Sequence, residues 1–334
     1  MSSCDVSVVI PAYNAEHFIV DALDSISRQT RLPFEVIVIN DGSSDRTRQV
    51  IQDWIEKAAI DYPVYLHTQE NRGLPATRNV GIGHAKGKWI ALLDADDIWE
   101  PCHLAELMAA TDIVPSAIAA YGAGRLLVGE ATDDKLYDDF WDNPSQKFGQ
   151  QIGSTSRFVI DFGVFPRLIK GNFIKPSSLM FSRESANEIG LFNETLRTAE
   201  DREFLVRLLR KGDFIYSRVA ITQYRWHDDN ISQTKNSKRN MENALRALRV
   251  IGENDQLALN RDEIAALRSE VRLATKGYLY VCSLEGIKTY VNGVGFVKKS
   301  FGLGNAWLAM NPKDMIRCLA SWAYPNAGPP AGHR

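Results

Sequence analysis

Three carboxylates crowd into four positions at Asp94-Ala95-Asp96-Asp97, directly after the apolar run Trp89-Ile-Ala-Leu-Leu93. Like charges this close repel, so the cluster is costly unless a positive group sits with it. Hard divalent cations such as Mg²⁺ and Mn²⁺ prefer carboxylate oxygens and often bridge them to phosphates. The plain alternative is an acidic turn leading into the next helix near Pro101. A second acidic pair, Glu200-Asp201, opens a segment whose apolar positions Phe204, Leu205, Leu208 and Leu209 recur at helical spacing. Acids in a first turn complement the helix dipole. The same placement suits a general base, which must be a carboxylate before it accepts a proton. Two more side chains stay open on chemistry alone. His227, after Tyr224-Arg-Trp226, reads as structural, exposed or ligating, and Arg78 as a surface charge or a contact for an anionic ligand. Gly73, Gly81, Gly83 and Gly87 form neither GxGxxG nor GxxxxGK[ST], which argues against dinucleotide and P-loop chemistry.

The elements that must hold these residues alternate. Val6–Ile10, Glu35–Ile39, Val64–His67 and Trp89–Leu93 are short apolar runs without polar alternation, as strands covered on both faces are. Between them, Ala15–Gln29, a segment capped by Ser44 with apolar Val50, Ile51, Trp54 and Ile55, and Ala76–Ala85 have helical spacing. Repeated strand–helix units predict a parallel sheet with right-handed crossovers, whose ligands sit beyond the carboxyl ends of the strands. That rule directs attention to Pro11–Asn14, Asn40–Ser43 and Asp94–Asp97. From about Ala131 to Lys170 the pattern weakens; acids 133, 134, 138, 139 and 142 among Tyr137, Phe140 and Trp141 predict a loop-rich insertion. Strand Ser178–Phe181, helix Glu200–Lys211 closed by Gly212, and strands Phe214–Ser217 and Ile221–Trp226 follow. Beyond Lys235 the pattern is helical, through Met241–Gly252, Arg261–Val281 and amphipathic pieces to Trp322, and residues 325–334 read as frayed.

The 334 residues, 45% hydrophobic and 24% charged, suit one large α/β domain with a smaller appendage. Residues 1–234 hold 24 Lys/Arg against 33 Asp/Glu, and residues 235–334 hold 15 against 8. An acidic front half argues against a nucleic-acid partner. The basic tail suits an anionic membrane surface or a solvated face; Lys298 and Lys299 beside Phe296, Phe301, Trp307 and Leu308 predict peripheral membrane contact or self-association, against a plain helical subdomain. Cys4, Cys102, Cys282 and Cys318 lie far apart, as free thiols of a reducing compartment do. No stretch approaches the ~18 uncharged apolar residues of a spanning helix, and no basic-then-apolar leader opens the sequence, so the expectation is a cytoplasmic protein, peripheral at the inner face of the plasma membrane if the tail binds it.

Four segments, in order, resemble the inverting glycosyltransferases of family 2, which have the GT-A fold. They are Ser7-Val-Val-Ile-Pro-Ala-Tyr-Asn14, Val36-Ile-Val-Ile-Asn-Asp-Gly-Ser-Ser-Asp45, Glu70-Asn-Arg-Gly-Leu-Pro-Ala-Thr-Arg-Asn79 and Leu92-Leu-Asp-Ala-Asp-Asp97. Glu200-Asp201, followed by Arg207 and Gly212, looks like the family's acidic catalytic motif, and Tyr224-Arg-Trp-His227 like its metal-side closing segment. The resemblance covers about residues 5–235. It implies a Rossmann-like, mostly parallel α/β sheet flanked by helices, with a nucleotide-sugar half over 1–125, an acceptor half over 126–235 and a helical C-terminal region over 236–334. It implies that Pro11, Ala12, Tyr13 and Asn14 line the nucleoside, that Asp41 reads a base, usually uracil, with Arg78 beside it, and that Asp94, Ala95 and Asp96 meet ribose and a divalent cation, Mn²⁺ or Mg²⁺. His227 would be a further metal contact, Asp201 the catalytic base, and Glu200 its support or a contact for the acceptor. The partners implied are a nucleotide-sugar donor and a glycan or lipid-linked saccharide acceptor. Gln223-Tyr-Arg-Trp226 departs from the QxxRW of processive members, so single-sugar transfer is expected. Thr77 stands where a smaller residue is usual, and the 131–170 insertion has no family role. Two other readings stand beside this one: a sugar nucleotidyltransferase, for which Pro11-Ala-Tyr-Asn14 lacks the glycine- and Arg/Lys-rich loop, and a catalytically inactive nucleotide-sugar-binding scaffold.

Overall fold

Apolar runs with no polar alternation suit strands covered on both faces of a sheet. Val6–Ala12, Glu35–Asp41 and Trp89–Leu92 are buried throughout. Val64–Gln69, expected to be the same, is only partly buried because it lies at the sheet edge. The computed structural model describes residues 5–140, 144–228, 230 and 236–314. Cα proximity divides the chain into two units, Met1–Asn230 and Ile231–Arg334.

In the first unit, β1 (Val6–Ala12), β2 (Glu35–Asp41), β3 (Val64–Gln69) and β4 (Trp89–Leu92) pair in parallel in the order β3-β2-β1-β4. They are joined by α1 (Ile19–Ser27), α2 (Thr47–Lys57) and α3 (Leu74–His84). β5 (Ile98–Trp99), α4 (His103–Ile113) and β6 (Ala119–Val128) follow, then β7 (Ala131–Leu136), α5 (Tyr137–Phe140), α6 (Pro144–Phe148), β8 (Gln150–Gln151), β9 (Arg157–Ile160) and α7 (Phe165–Leu168). β10 (Leu179–Ser182), α8 (Arg183–Glu188), α9 (Glu200–Lys211) and β11 (Phe214–Trp226) complete the unit. β10 lies antiparallel between β4 and β6, and β11 runs parallel to β6 and antiparallel to β9.

The insertion over 131–170 is more ordered than its sequence suggests. Its short strands extend the sheet, β7 on β6 and β8–β9 beyond β11. Asp138, read as a loop acid, is buried and accepts a hydrogen bond from Tyr216 Oη at 2.8 Å. Elements of two to six residues are too short to show a period. Trp141 and Asp142 lie outside the described residues, as do residues 315–322 of the expected amphipathic pieces and the tail 325–334.

Three local differences matter for the site. β1 continues through Pro11, whose partner is Ile39, and ends at Ala12. Ser44 does not cap α2; its N–H and hydroxyl both donate to Asn14 Oδ1, and Asp45 receives the Thr47 N–H instead. The two segments expected at 214–226 are one strand with irregular register at Ser217–Thr222. β5, immediately after the acidic turn, pairs with Thr222 and Gln223, which draws the end of β11 alongside that turn.

The second unit comprises α10 (Ser237–Glu253), α11 (Arg261–Leu284), α12 (Ile287–Phe301) and α13 (Leu303–Ala309). α11 starts at a capping box in which Asn260 accepts from Glu263 N–H and Glu263 accepts from Asn260 N–H. Leu245, Tyr278, Leu279, Cys282 and Val297 form its apolar centre. Among the described residues no helix is long and apolar enough to cross a membrane.

Candidate active site

The carboxyl ends of β1, β2 and β4 release three loops at one edge of the sheet. Tyr13 and Asn14 follow buried Pro11 and Ala12 and are exposed. Asn14 adopts a left-handed φ of 49°, which costs little for an Asn whose side chain binds nearby backbone. It joins the first loop to the second, donating from its N–H to Ser43 Oγ at 3.0 Å and accepting from Ser44 N–H at 2.9 Å.

Asp41, expected to read a base, is 3% exposed. Its carboxylate accepts from Gln69 Nε2 at 2.7 Å and from the backbone N–H groups of Arg72 and Gly73, both at 2.9 Å. Asp41 therefore shapes the loop that leads into α3. Thr77 fits there by donating its hydroxyl to the Gly73 carbonyl at 2.9 Å.

The three carboxylates of Asp94–Asp97 have separate partners, which is how the turn tolerates them. Asp94 Oδ1 accepts from Arg78 Nη2 at 2.8 Å. Asp96 Oδ2 lies 3.0 Å from His227 Nε2 and 3.5 Å from Asn230 Nδ2. Asp97, which sequence reasoning left without a role, is buried; it accepts from Ser177 Oγ at 2.5 Å and from Arg225 N–H at 3.1 Å. Burial, and then the charges of Asp96 and Asp94, push its carboxyl well above the ordinary range. Ala95 is buried between them. Ser177 ties the turn to the sheet, accepting from Asp94 N–H at 3.1 Å while its carbonyl receives Trp99 Nε1–H at 2.7 Å.

Arg78 is not the surface charge that residue type alone allowed. α3 lies so close to β1 that a Cβ on Gly81 would meet Val9 Cγ1 at 2.4 Å. One turn earlier on the same face, Arg78 is pressed into the protein and is 1% exposed. Its guanidinium fork joins Asp94 to Glu200 Oε1, each at 2.8 Å. An arginine can serve two carboxylates because its donors are fixed in a planar fork.

Glu200 and Asp201 open α9, as the sequence predicts, directly after Ala199 in the left-handed region at φ 63°. Strain of this kind on a non-glycine residue concentrates at functional sites. Burial, and then the charge of Asp201, raise the Glu200 carboxyl to about 7, despite Arg78. Asp201 is less buried and accepts from Asn172 Nδ2 at 2.6 Å and from Arg202 N–H at 2.7 Å. Its charge also acts on Asp94 and Arg78. The acidic turn after β4 and the start of α9, over a hundred positions apart, thus form one electrostatic centre.

His227 stacks on Phe18 with ring centroids 4.7 Å apart. Arg225 locks the same corner, donating to the Asp96 carbonyl at 2.9 Å and to Asp21 at 2.6 Å. A carboxylate oxygen and an imidazole nitrogen held together suit a divalent cation. Among the described residues no group of three or more His, Cys, Asp and Glu gathers as a cage. The donors fit an ion shared with phosphate oxygens, and Asp94 is less free for it than expected because Arg78 holds one of its oxygens. Sequence reasoning missed Phe18, Asn172, Ser177, Arg225 and Asn230. Only Arg225 carried a signal, its place in the segment that ends at His227.

Comparison with known proteins agrees with this architecture. Residues 7–165 match the model of glycosyl transferase family 2. An uncharacterized glycosyltransferase of Rickettsia typhi is 27% identical over 238 residues, 70% of this chain and 67% of that protein. TuaG of Bacillus subtilis, a candidate teichuronic acid biosynthesis glycosyltransferase, is 28% identical over 231 residues, 69% of this chain and 82% of that one. The mannosyltransferase PcManGT from Pyrobaculum calidifontis, solved in complex with GDP-Man and Mn²⁺, superposes with a TM-score of 0.60 at 16% identity, covering 98% of this chain and 89% of that one. At that identity the likeness concerns the fold, which is GT-A. Residues 7–165 are a glycosyl transferase family 2 domain, and the chain that carries them is a glycosyltransferase.

Proposed function

We propose that this transferase moves one sugar from a nucleoside diphosphate donor, UDP-linked by the resemblance, onto a glycan or lipid-linked saccharide in polysaccharide or glycoconjugate synthesis, inverting the anomeric carbon. One observation carries the reading: Arg78 bridges Asp94 and Glu200, so the donor-side carboxylates and the carboxylate pair of α9 share one centre. Residues 1–125 form the nucleotide-sugar half and 126–235 the acceptor half, with 236–334 as a helical region outside the chemistry. The complex of PcManGT with GDP-Man and Mn²⁺ and the assignment of TuaG support the classes of donor, ion and pathway.

In this mechanism Pro11, Ala12, Tyr13 and Asn14 receive the nucleoside, and Asp41 acts on the base through the loop it shapes. Asp201 takes the proton of the acceptor hydroxyl while that oxygen bonds to the anomeric carbon. The carbon–oxygen bond to the diphosphate breaks on the opposite face, and the diphosphate leaves with the bonding pair. Asp96 and His227, with Asp94 beside them, would hold a divalent cation, Mn²⁺ or Mg²⁺, which when bound supplies Lewis-acid relief of charge on the departing diphosphate. Glu200, held by Arg78, fixes the first turn of α9.

Release of nucleoside diphosphate from a panel of UDP- and GDP-sugars tests the reading. Release requires Mn²⁺ or Mg²⁺, stops on chelation, and falls on the order of 10²–10³-fold in Asp96→Asn, which removes several kcal/mol of leaving-group stabilisation. Pyrophosphate release from a nucleoside triphosphate and a sugar phosphate would replace it with nucleotidyl transfer. Absence of metal-dependent nucleotide binding in calorimetry would replace it with a scaffold, and a retained anomeric configuration in the product would remove the inverting step.

Asn172 carries a second prediction. A hydrogen bond to a charged group contributes about 1.5–3 kcal/mol, so Asn172→Ala lowers kcat by roughly 10–100-fold. KM for the donor stays unchanged, because Asn172 orients Asp201 without touching the nucleotide side. Steady-state kinetics with the donor varied separates the two constants, and a shift in KM alone would place Asn172 in donor binding.

A further inference from the structure

Ile287–Ala309, spanning α12 and α13, holds three lysines and no Asp or Glu. In α12, Tyr290, Gly293 and Val297 face inward, and Ile287, Lys288, Val291, Lys298 and Lys299 are all exposed. At 3.6 residues per turn these five fall within an arc of about 120°. In α13, Ala306 and Ala309 face inward, while Leu303, Trp307 and Leu308 are 64%, 74% and 56% exposed. A helix on the surface of a globular protein turns charged or polar residues to water opposite its buried stripe. α13 turns leucine and tryptophan outward instead, a few residues after Lys298 and Lys299.

We infer that α12 and α13 form a docking surface for an anionic lipid bilayer. Leu303, Trp307 and Leu308 enter the headgroup boundary, and Lys288, Lys298 and Lys299 meet lipid phosphates. Charge decides between the candidate occupants. A second copy docked through the same face would bring the same three lysines against these, and Ile287–Ala309 offers no acid to receive them. An anionic leaflet brings only the complementary sign. The inference is independent of the sugar-transfer chemistry, and it gives the basic excess of the C-terminal hundred residues a place to act.

Sedimentation of the full chain with phosphatidylglycerol–phosphatidylcholine vesicles, and with pure phosphatidylcholine vesicles, tests the inference. Binding appears with the anionic vesicles at low salt and weakens as salt rises. Each lysine near such a surface contributes roughly a five-fold factor, so Lys288→Glu/Lys298→Glu/Lys299→Glu lowers partitioning by about 10²-fold or more. Leu303→Ser/Trp307→Ser, with every lysine retained, lowers it by roughly ten-fold or more, which simple charge attraction would not do. Both variants keep the wild-type unfolding midpoint, since these side chains face outward. No sedimentation with anionic vesicles at low salt, or wild-type binding by both variants, overturns the proposal. A lipid-free dimer that Leu303→Ser/Trp307→Ser dissolves in ultracentrifugation also overturns it, by assigning the face to a second copy.

Discussion

Asp201→Asn lowers sugar transfer by about 10²–10⁴-fold, the usual loss when a positioned general base is removed. Amide and carboxylate have nearly the same shape, so the side chain keeps its place beside Asn172 and the fold is unchanged. Donor affinity stays near wild type, because the residues proposed to meet the nucleotide belong to the loops after β1, β2 and β4. Single-turnover measurement with saturating donor isolates the chemical step, and calorimetry with the nucleoside diphosphate checks binding. Wild-type turnover in this variant would remove Asp201 from the reaction. The pH profile adds an independent signature. Glu200, next to Asp201 in the chain, is raised to about 7 by burial and by the charge of Asp201. Transfer therefore rises with pH through that region, as Glu200 gives up its proton and pairs with Arg78 as a carboxylate at the first turn of α9. Glu200→Gln removes that titrating group, and the limb near 7 disappears from kcat/KM. A limb that stays near 7 in Glu200→Gln would assign it to another group.

The strands, their order of use and the acidic residues of the site were legible because each is a local pattern. Glu200–Lys211 was placed at its observed limits by helical spacing and a glycine stop. The partners of those acids were not legible, for a physical reason. Asn172 meets Asp201 across 29 positions, Ser177 meets Asp97 across 80, and Arg78 meets Glu200 across 122. No periodicity links such pairs; they meet because β10 lies between β4 and β6 and because β5 draws in the end of β11. The same limit explains Asp41 and Arg78. Residue type marks both as able to face a ligand, but burial is set by how closely α3 packs on β1. Short elements fail differently, since β8 and α5 are too brief for any period to show.

Arg78→Met destabilises the protein by about 3–5 kcal/mol, the range for breaking a buried ion pair from one side. Methionine fills much of the arginine stem's space, so lost packing is minor and the charge of Asp94 and Glu200 dominates. The dependence on pH identifies the cause. Folded Glu200 sits at about 7 against an ordinary 4.5, with burial the main reason. Between those values the folded chain holds a proton that the unfolded chain has released, so this group's contribution to stability falls as pH rises. Burial raises Asp94 in the same direction, and Arg78 works against the rise at both residues. Without the guanidinium both carboxyls rise further and the window extends upward. The deficit of Arg78→Met in denaturant unfolding is therefore larger at pH 8 than at pH 5. Arg78→Met/Glu200→Gln recovers part of it, because one buried charge has gone with its partner. A single-variant deficit that is equal at both pH values, and that Glu200→Gln does not relieve, would mean that Arg78 contributes by packing. The two halves of the site would then be held together by the sheet alone, and the electrostatic link between Asp94 and the first turn of α9 would have no part in building it.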